Sequence, residues 1–85
     1  MDTAIDCAVM MEDIAHGERV RAYLVDGLVD GEWRILARGT VLGHKRIDRF
    51  AAVRVSRVRL RVTAAAGEPM IRRFAVYHTG RSAER

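Results

Sequence analysis

Cysteine is nearly absent: Cys7 stands alone among 85 residues. One thiol excludes an internal disulfide framework and any zinc site built on two or more cysteine ligands. Proline is reduced to Pro69 and lysine to Lys45. Aromatic residues make up 6% of the chain, too few to read as the base-stacking platform of an RNA-binding surface. No apolar run approaches the ~18 residues of a membrane-spanning helix, so no membrane partner is expected. The glycines never fall into GxxxxGK or GxGxxG, so no nucleotide or other cofactor is indicated. His16, His44 and His78 lie far apart, with no HxH or HExxH spacing, and no metal site is expected. The N-terminus, Met1-Asp2-Thr3-Ala4-Ile5-Asp6, is acidic where a secretory signal is basic, so no signal peptide is read in this chain.

What remains is a short, globular composition. The length allows one domain and leaves no room for a catalytic barrel of about 250 residues. Hydrophobic residues make up 49%, which sets the chain apart from disordered sequences. The net charge of +4 is carried by arginine, with fourteen Arg against one Lys.

Most segments alternate with period two, the signature of half-buried strands. Ala4–Met11 is an apolar run closed by Glu12-Asp13, open to a buried strand or a short helix, with the strand favoured. Ala15-His16-Gly17 reads as a turn. In Arg19–Val25 the pattern places Val20, Ala22 and Leu24 inward, with Arg19, Arg21 and Tyr23 outward. Asp30-Gly31 is a hairpin signal, because both residues tolerate positive φ. It leads into Glu32–Arg38, where Trp33, Ile35 and Ala37 face inward opposite Arg34 and Arg38. Gly39 and Gly43 bracket a short strand, Thr40–Leu42. A basic stretch, His44-Lys45-Arg46-Ile47-Asp48-Arg49, closes on Phe50. Val55–Thr63 alternates most clearly, with Val58, Leu60 and Val62 inward and Arg57, Arg59 and Arg61 outward. After Gly67-Glu68-Pro69, Met70–Tyr77 is the last strand. Short strands without a 3.6 period indicate an all-β fold, a sandwich or jelly roll rather than a barrel. Residues 1–79 form this one module, and 80–85 form a polar, disordered tail.

The arginine ladder Arg57/Arg59/Arg61, with Arg19, Arg21, Arg72 and Arg73, has two readings. One is an electrostatic footprint for nucleic acid or an acidic polysaccharide. The other, preferred on composition, is a solvated sheet face whose arginines pair with acids of neighbouring strands. His44-Lys45-Arg46 is the candidate ligand loop, offering charged donors to sugar hydroxyls or carboxylates. Arg49 and Trp33 are lesser candidates, although Trp33 at an inward position also reads as core. Tyr23 and Tyr77 offer sugar-stacking surfaces on one reading and packing on the simpler one. Cys7 reads as a small core residue. No catalytic residue is assigned, since Asp6, Glu12 and Asp13 would need a deep cleft to act as a carboxylate pair.

Several strings together resemble part of the C-terminal β-sandwich of bacterial α-L-fucosidases. They are Glu12-Asp13-Ile14, His16–Tyr23, Asp30–Thr40, Leu42–Phe50, Ser56–Val62 and Pro69–Tyr77, in that order and spacing. The resemblance implies a discoidin or coagulation-factor C-type fold, a galactose-binding-like jelly roll. It implies a non-catalytic, carbohydrate-associated module, inactive alone. The family's catalytic carboxylates belong to a barrel that has no counterpart here. The family's module begins with strands preceding the matched region, so the expected sandwich is truncated at its N-terminus. The implied partners are a glycan, a catalytic barrel in cis or in trans, or a second copy pairing through an open sheet edge. A purely structural or self-associating module is the alternative. Nucleic acid is disfavoured by the missing aromatic platform.

Overall fold

The computed structural model describes residues 2–15 and 17–80. Among these the chain forms six strands: β1 (Thr3–Glu12), β2 (Val20–Val29), β3 (Glu32–Gly39), β4 (Arg46–Val55), β5 (Arg57–Ala65) and β6 (Ile71–Tyr77). They make two antiparallel three-stranded sheets, β4-β1-β6 and β3-β2-β5. The sheets stack as a β-sandwich, and the all-β expectation holds. Of the expected turn Ala15-His16-Gly17, His16 lies outside the described residues, and the Gly17 N–H donates to the Ile14 carbonyl at 2.9 Å. Of the expected tail 80–85, residues 81–85 lie outside them, and the Gly80 N–H donates to Asp6.

Only β2 and β3 join as a hairpin within one sheet; every other connection crosses between sheets. The hairpin sits where Asp30-Gly31 predicts it, with φ of 51° and 82° at the two turn residues. That is the left-handed pair of a type I′ turn. At the same end, Ser56 alone carries the chain from β4 to β5, and its N–H donates to the Leu28 carbonyl at 3.0 Å. The expected single strand Val55–Thr63 is therefore two strands in different sheets, broken at Ser56. At the opposite end the Glu12 N–H donates to the Gly43 carbonyl at 3.2 Å, the Asp13 N–H to the Met70 carbonyl at 2.8 Å and the Ala66 N–H to the Arg19 carbonyl at 2.7 Å.

Ile5, Ala8 and Met10 of β1 pack against Tyr23 and Val25 of β2 and Phe50 and Val55 of β4. Leu36, Val58, Leu60, Val62, Phe74 and Val76 close around them. The inward placement of Val58, Leu60 and Val62 is as the alternation predicts.

Two β-bulges overturn the sequence reading of the other faces. In β2 the pairing with β5 shifts around Ala22, so the phase of alternation flips after Val20. Tyr23 and Val25 therefore point inward, both buried, and Leu24 points outward. In β3 the pairing with β2 shifts between Ala37 and Ile35, leaving Leu36 as the extra residue. Leu36 and Ala37 face the core, while Trp33 and Ile35 face out at 41% and 46% exposure. A bulge adds one residue and inverts everything beyond it, and simple periodicity does not show it. Thr40–Leu42 forms no strand; it is part of a connection whose Leu42 is buried. β4 instead begins within the basic stretch, at Arg46.

Candidate functional site

Four carboxylates are buried or nearly so, and each has a different occupation. Asp6, in the bulge of β1, accepts from the Thr79 and Gly80 backbone N–H groups at 2.7 and 3.0 Å and from the Thr79 hydroxyl. The Thr79 N–H bond, with the other donors and the nearby His78, outweighs desolvation and holds the Asp6 carboxyl below the ordinary carboxylate range. Glu12 ends β1 and accepts through Oε2 from the N–H groups of Arg19 and Val20, at 2.7 and 3.0 Å. Both acids therefore stitch chain segments together.

Asp48 lies between the sheets, as its partners show. The Tyr23 hydroxyl donates to it at 2.5 Å, and Arg46 Nε donates at 2.9 Å. Burial, reinforced by the Asp48 carboxylate, pushes the Tyr23 hydroxyl well above the ordinary tyrosine value. The hydrogen bond from Arg46 to Asp48 raises the arginine further. Gly39 makes room for this link, since a Cβ there would sit 2.6 Å from the Tyr23 hydroxyl oxygen. Tyr23 is thus a seam between the sheets and offers no stacking surface.

Asp26 is the fourth, and it faces outward. Gly27 beside it points inward, against Val55 and Leu36. Asp26 is 1% exposed because two arginines of β5 close over it. Arg59 Nε donates to its Oδ2 at 2.8 Å; Arg61 donates to Oδ2 at 2.6 Å and to Oδ1 at 3.3 Å. Desolvation opposes ionisation of Asp26, but the Arg61 and Arg59 hydrogen bonds win and hold its carboxyl below the usual range. The Arg59 guanidinium also lies over the Trp33 ring, 4.0 Å from its centroid, in a cation–π contact.

These contacts order the outer face of the β3-β2-β5 sheet. Register places Trp33, Leu28 and Arg57 in one row, Ile35, Asp26 and Arg59 in the next, and Arg38, Leu24 and Arg61 in the third. Four guanidiniums thus face one carboxylate. The expected neutralisation of the ladder by acids on neighbouring strands is met by Asp26 alone among the described residues.

The residues singled out from sequence are scattered. His44 and Lys45 are exposed in the connection before β4, at one end of the sandwich, and Arg46 turns back to Asp48. Arg49 projects from the outer face of β4, level with Cys7. Trp33 is the second residue of β3, at the other end and on the opposite sheet. The structure does not bring these five together. Sequence reasoning missed Asp26 because the alternation it followed stops at Val25, whereas β2 runs on to Val29 and pairs with β5 through Asp26 and Gly27. Among the described residues no cluster of His, Cys, Asp or Glu could hold a metal ion.

No protein-family model matches the chain. A rice protein assigned as α-L-fucosidase 1 is 34% identical over 68 residues, which is 80% of this chain and 13% of that protein. A crystal structure assigned as an α-L-fucosidase of Bacteroides thetaiotaomicron superposes with a TM-score of 0.91 at 32% identity, covering 93% of this chain and 18% of its own. A Ruminococcus gnavus fucosidase of glycoside hydrolase family 29, solved with fucose, gives a TM-score of 0.80 at 29% identity over 91% of this chain and 16% of its own. In sequence and in fold, this chain is a relative of the family 29 α-L-fucosidases, matching a segment that makes up less than a fifth of each relative named.

Proposed function

We propose that this chain is a non-catalytic, carbohydrate-associated module, equivalent to the C-terminal β-sandwich of an α-L-fucosidase-like glycoside hydrolase. The observation that carries this reading is the lopsided coverage: nine-tenths of the chain matches fucosidase structures, and less than a fifth of those structures is matched. Chemistry supports it. Hydrolysis of a glycoside needs two carboxyl groups facing one sugar. Here Asp6, Asp26 and Asp48 are taken up by backbone amides, arginines and a tyrosine hydroxyl, and Glu12 holds two backbone amides through Oε2, its buried Oε1 having no partner among the described residues. The role of the module is then to hold saccharide or to support the catalytic part, in a fold of the discoidin-like, galactose-binding kind.

Incubating the purified 85-residue chain with an aryl α-L-fucoside tests the first half. No release of the aryl alcohol above the buffer rate is expected, and enzyme-dependent release overturns the non-catalytic assignment. A glycan array tests the second half. Specific saccharide binding supports the carbohydrate-associated role, and a blank array removes it in favour of pure support.

A further inference from the structure

The outer face of the β3-β2-β5 sheet has features that folding alone does not require. Trp33 and Ile35 remain 41% and 46% exposed beside the half-buried Leu24 and Leu28. Tryptophan and arginine together are the side chains most enriched where surfaces recognise a partner. The arginines are also pre-set. Asp26 fixes Arg59 and Arg61 mainly through their Nε edges. Both terminal nitrogens of Arg59 and one of Arg61 make no hydrogen bond to a described residue. Arg38 and Arg57 flank the grid with no carboxylate of a described residue in ion-pair reach. Guanidiniums held in place beforehand lose less freedom on meeting a ligand, and their fork geometry matches planar or tetrahedral oxyanions.

We infer that this face binds an acidic saccharide, its oxyanion groups held by Arg38, Arg57, Arg59 and Arg61 while a sugar ring lies against Trp33 and Ile35. This rests on the carbohydrate-associated reading above and adds the ligand class and the location. Charge complementarity sets the class. Four guanidiniums around one internally paired carboxylate favour an anionic over a neutral glycan. The single indole, already covered on one side by Arg59, does not provide the run of aromatics that single-stranded nucleic acid stacks upon.

Trp33 is the only tryptophan, so its fluorescence reports on this face directly. The full chain is titrated at 150 mM salt with polygalacturonate (carboxylate), dextran sulfate (sulfate ester), neutral dextran and single-stranded DNA. Saturable change with at least one acidic polysaccharide and none with neutral dextran is expected, and comparing the two acidic arms identifies the oxyanion. Titration calorimetry then compares two variants that lose equal charge. R38Q/R57Q, on this face, is expected to weaken binding at least tenfold. R49Q/R73Q, on the outer face of the other sheet, is expected to change it less than twofold. Equal losses in the two variants overturn the proposal, because net charge alone then accounts for binding. DNA binding as tight as the acidic polysaccharide overturns the saccharide assignment. Equal or tighter binding of neutral dextran overturns the acidic class while leaving the carbohydrate-associated reading intact. No response to any polysaccharide overturns the inference, and the glycan array decides separately whether that broader reading survives.

Discussion

The central strands of the two sheets both bury carboxylates, but to opposite ends. β1 buries Asp6 and Glu12, whose partners include backbone N–H groups from segments far along the chain or across a crossover. β2 buries Asp26, whose partners are the side chains of two arginines, each 42–44% exposed. A carboxylate that satisfies main-chain donors belongs to the fold, because those donors have nowhere else to go. A carboxylate that gathers guanidiniums shapes a surface, because an arginine released from it simply returns to water. Burial of an acid therefore does not reveal its role; the nature of its donors does.

That contrast predicts a ranking of stabilities. Glu12→Ala strands the N–H groups of Arg19 and buried Val20, and is expected to cost about 3 kcal/mol in urea unfolding. Glu12→Gln keeps an oxygen for those donors and is expected to cost less than half as much. A Gln variant as unstable as the Ala variant would show that charge, not hydrogen bonding, holds the crossover. Between the sheets, Gly39→Ala pushes a methyl group into the Tyr23 ring, whose hydroxyl is tied to Asp48. The expected cost is about 2 kcal/mol. Gly27→Ala meets Val55 Cγ1 at 2.7 Å and Leu36 at 2.8 and 3.3 Å, aliphatic side chains with no hydrogen bond to hold them in place. A smaller loss is expected there, read as the difference in urea midpoint. On the outer face, Asp26→Asn is expected to cost about 1 kcal/mol, since both arginines rehydrate.

How much of this was legible in the sequence follows the same division. Strand identity was visible in Val58-Arg59-Leu60-Arg61-Val62 and in the Asp30-Gly31 hairpin, because local alternation and turn chemistry act over a few residues. The family was visible too, because it rests on the order of many segments. Facing was lost at Ala22 and Leu36, where a bulge inverts the pattern and is fixed by pairing with a distant strand. So alternation points Trp33 inward and Tyr23 outward, each the reverse of its position, although packing is the simpler reading of Tyr23. The Asp26–Arg59–Arg61 cluster joins residues more than thirty positions apart, and composition gave only the surplus of arginine from which it is built.

Acid titration probes the two strands at once. Both Asp6 and Asp26 have carboxyl groups depressed below their unfolded values. For such groups the stabilisation is complete above the unfolded pKa, about 4, and disappears as pH falls through the lower folded value. The urea midpoint is therefore expected to carry the full contribution of these two groups, unchanged, between pH 7 and 5 and to decline below about pH 4. Asp26→Asn removes one titrating group and should leave a shallower decline, starting from a slightly lower midpoint at pH 7. Asp6→Asn should act in the same direction, through the loss of the hold on Thr79 and Gly80. If Asp26→Asn declines as steeply as the parent, the acid sensitivity lies with β1, and the arginine cluster on β2 and β5 is energetically neutral. If Asp6→Asn alone is as steep as the parent, the exposed cluster carries the acid response despite lying on the surface.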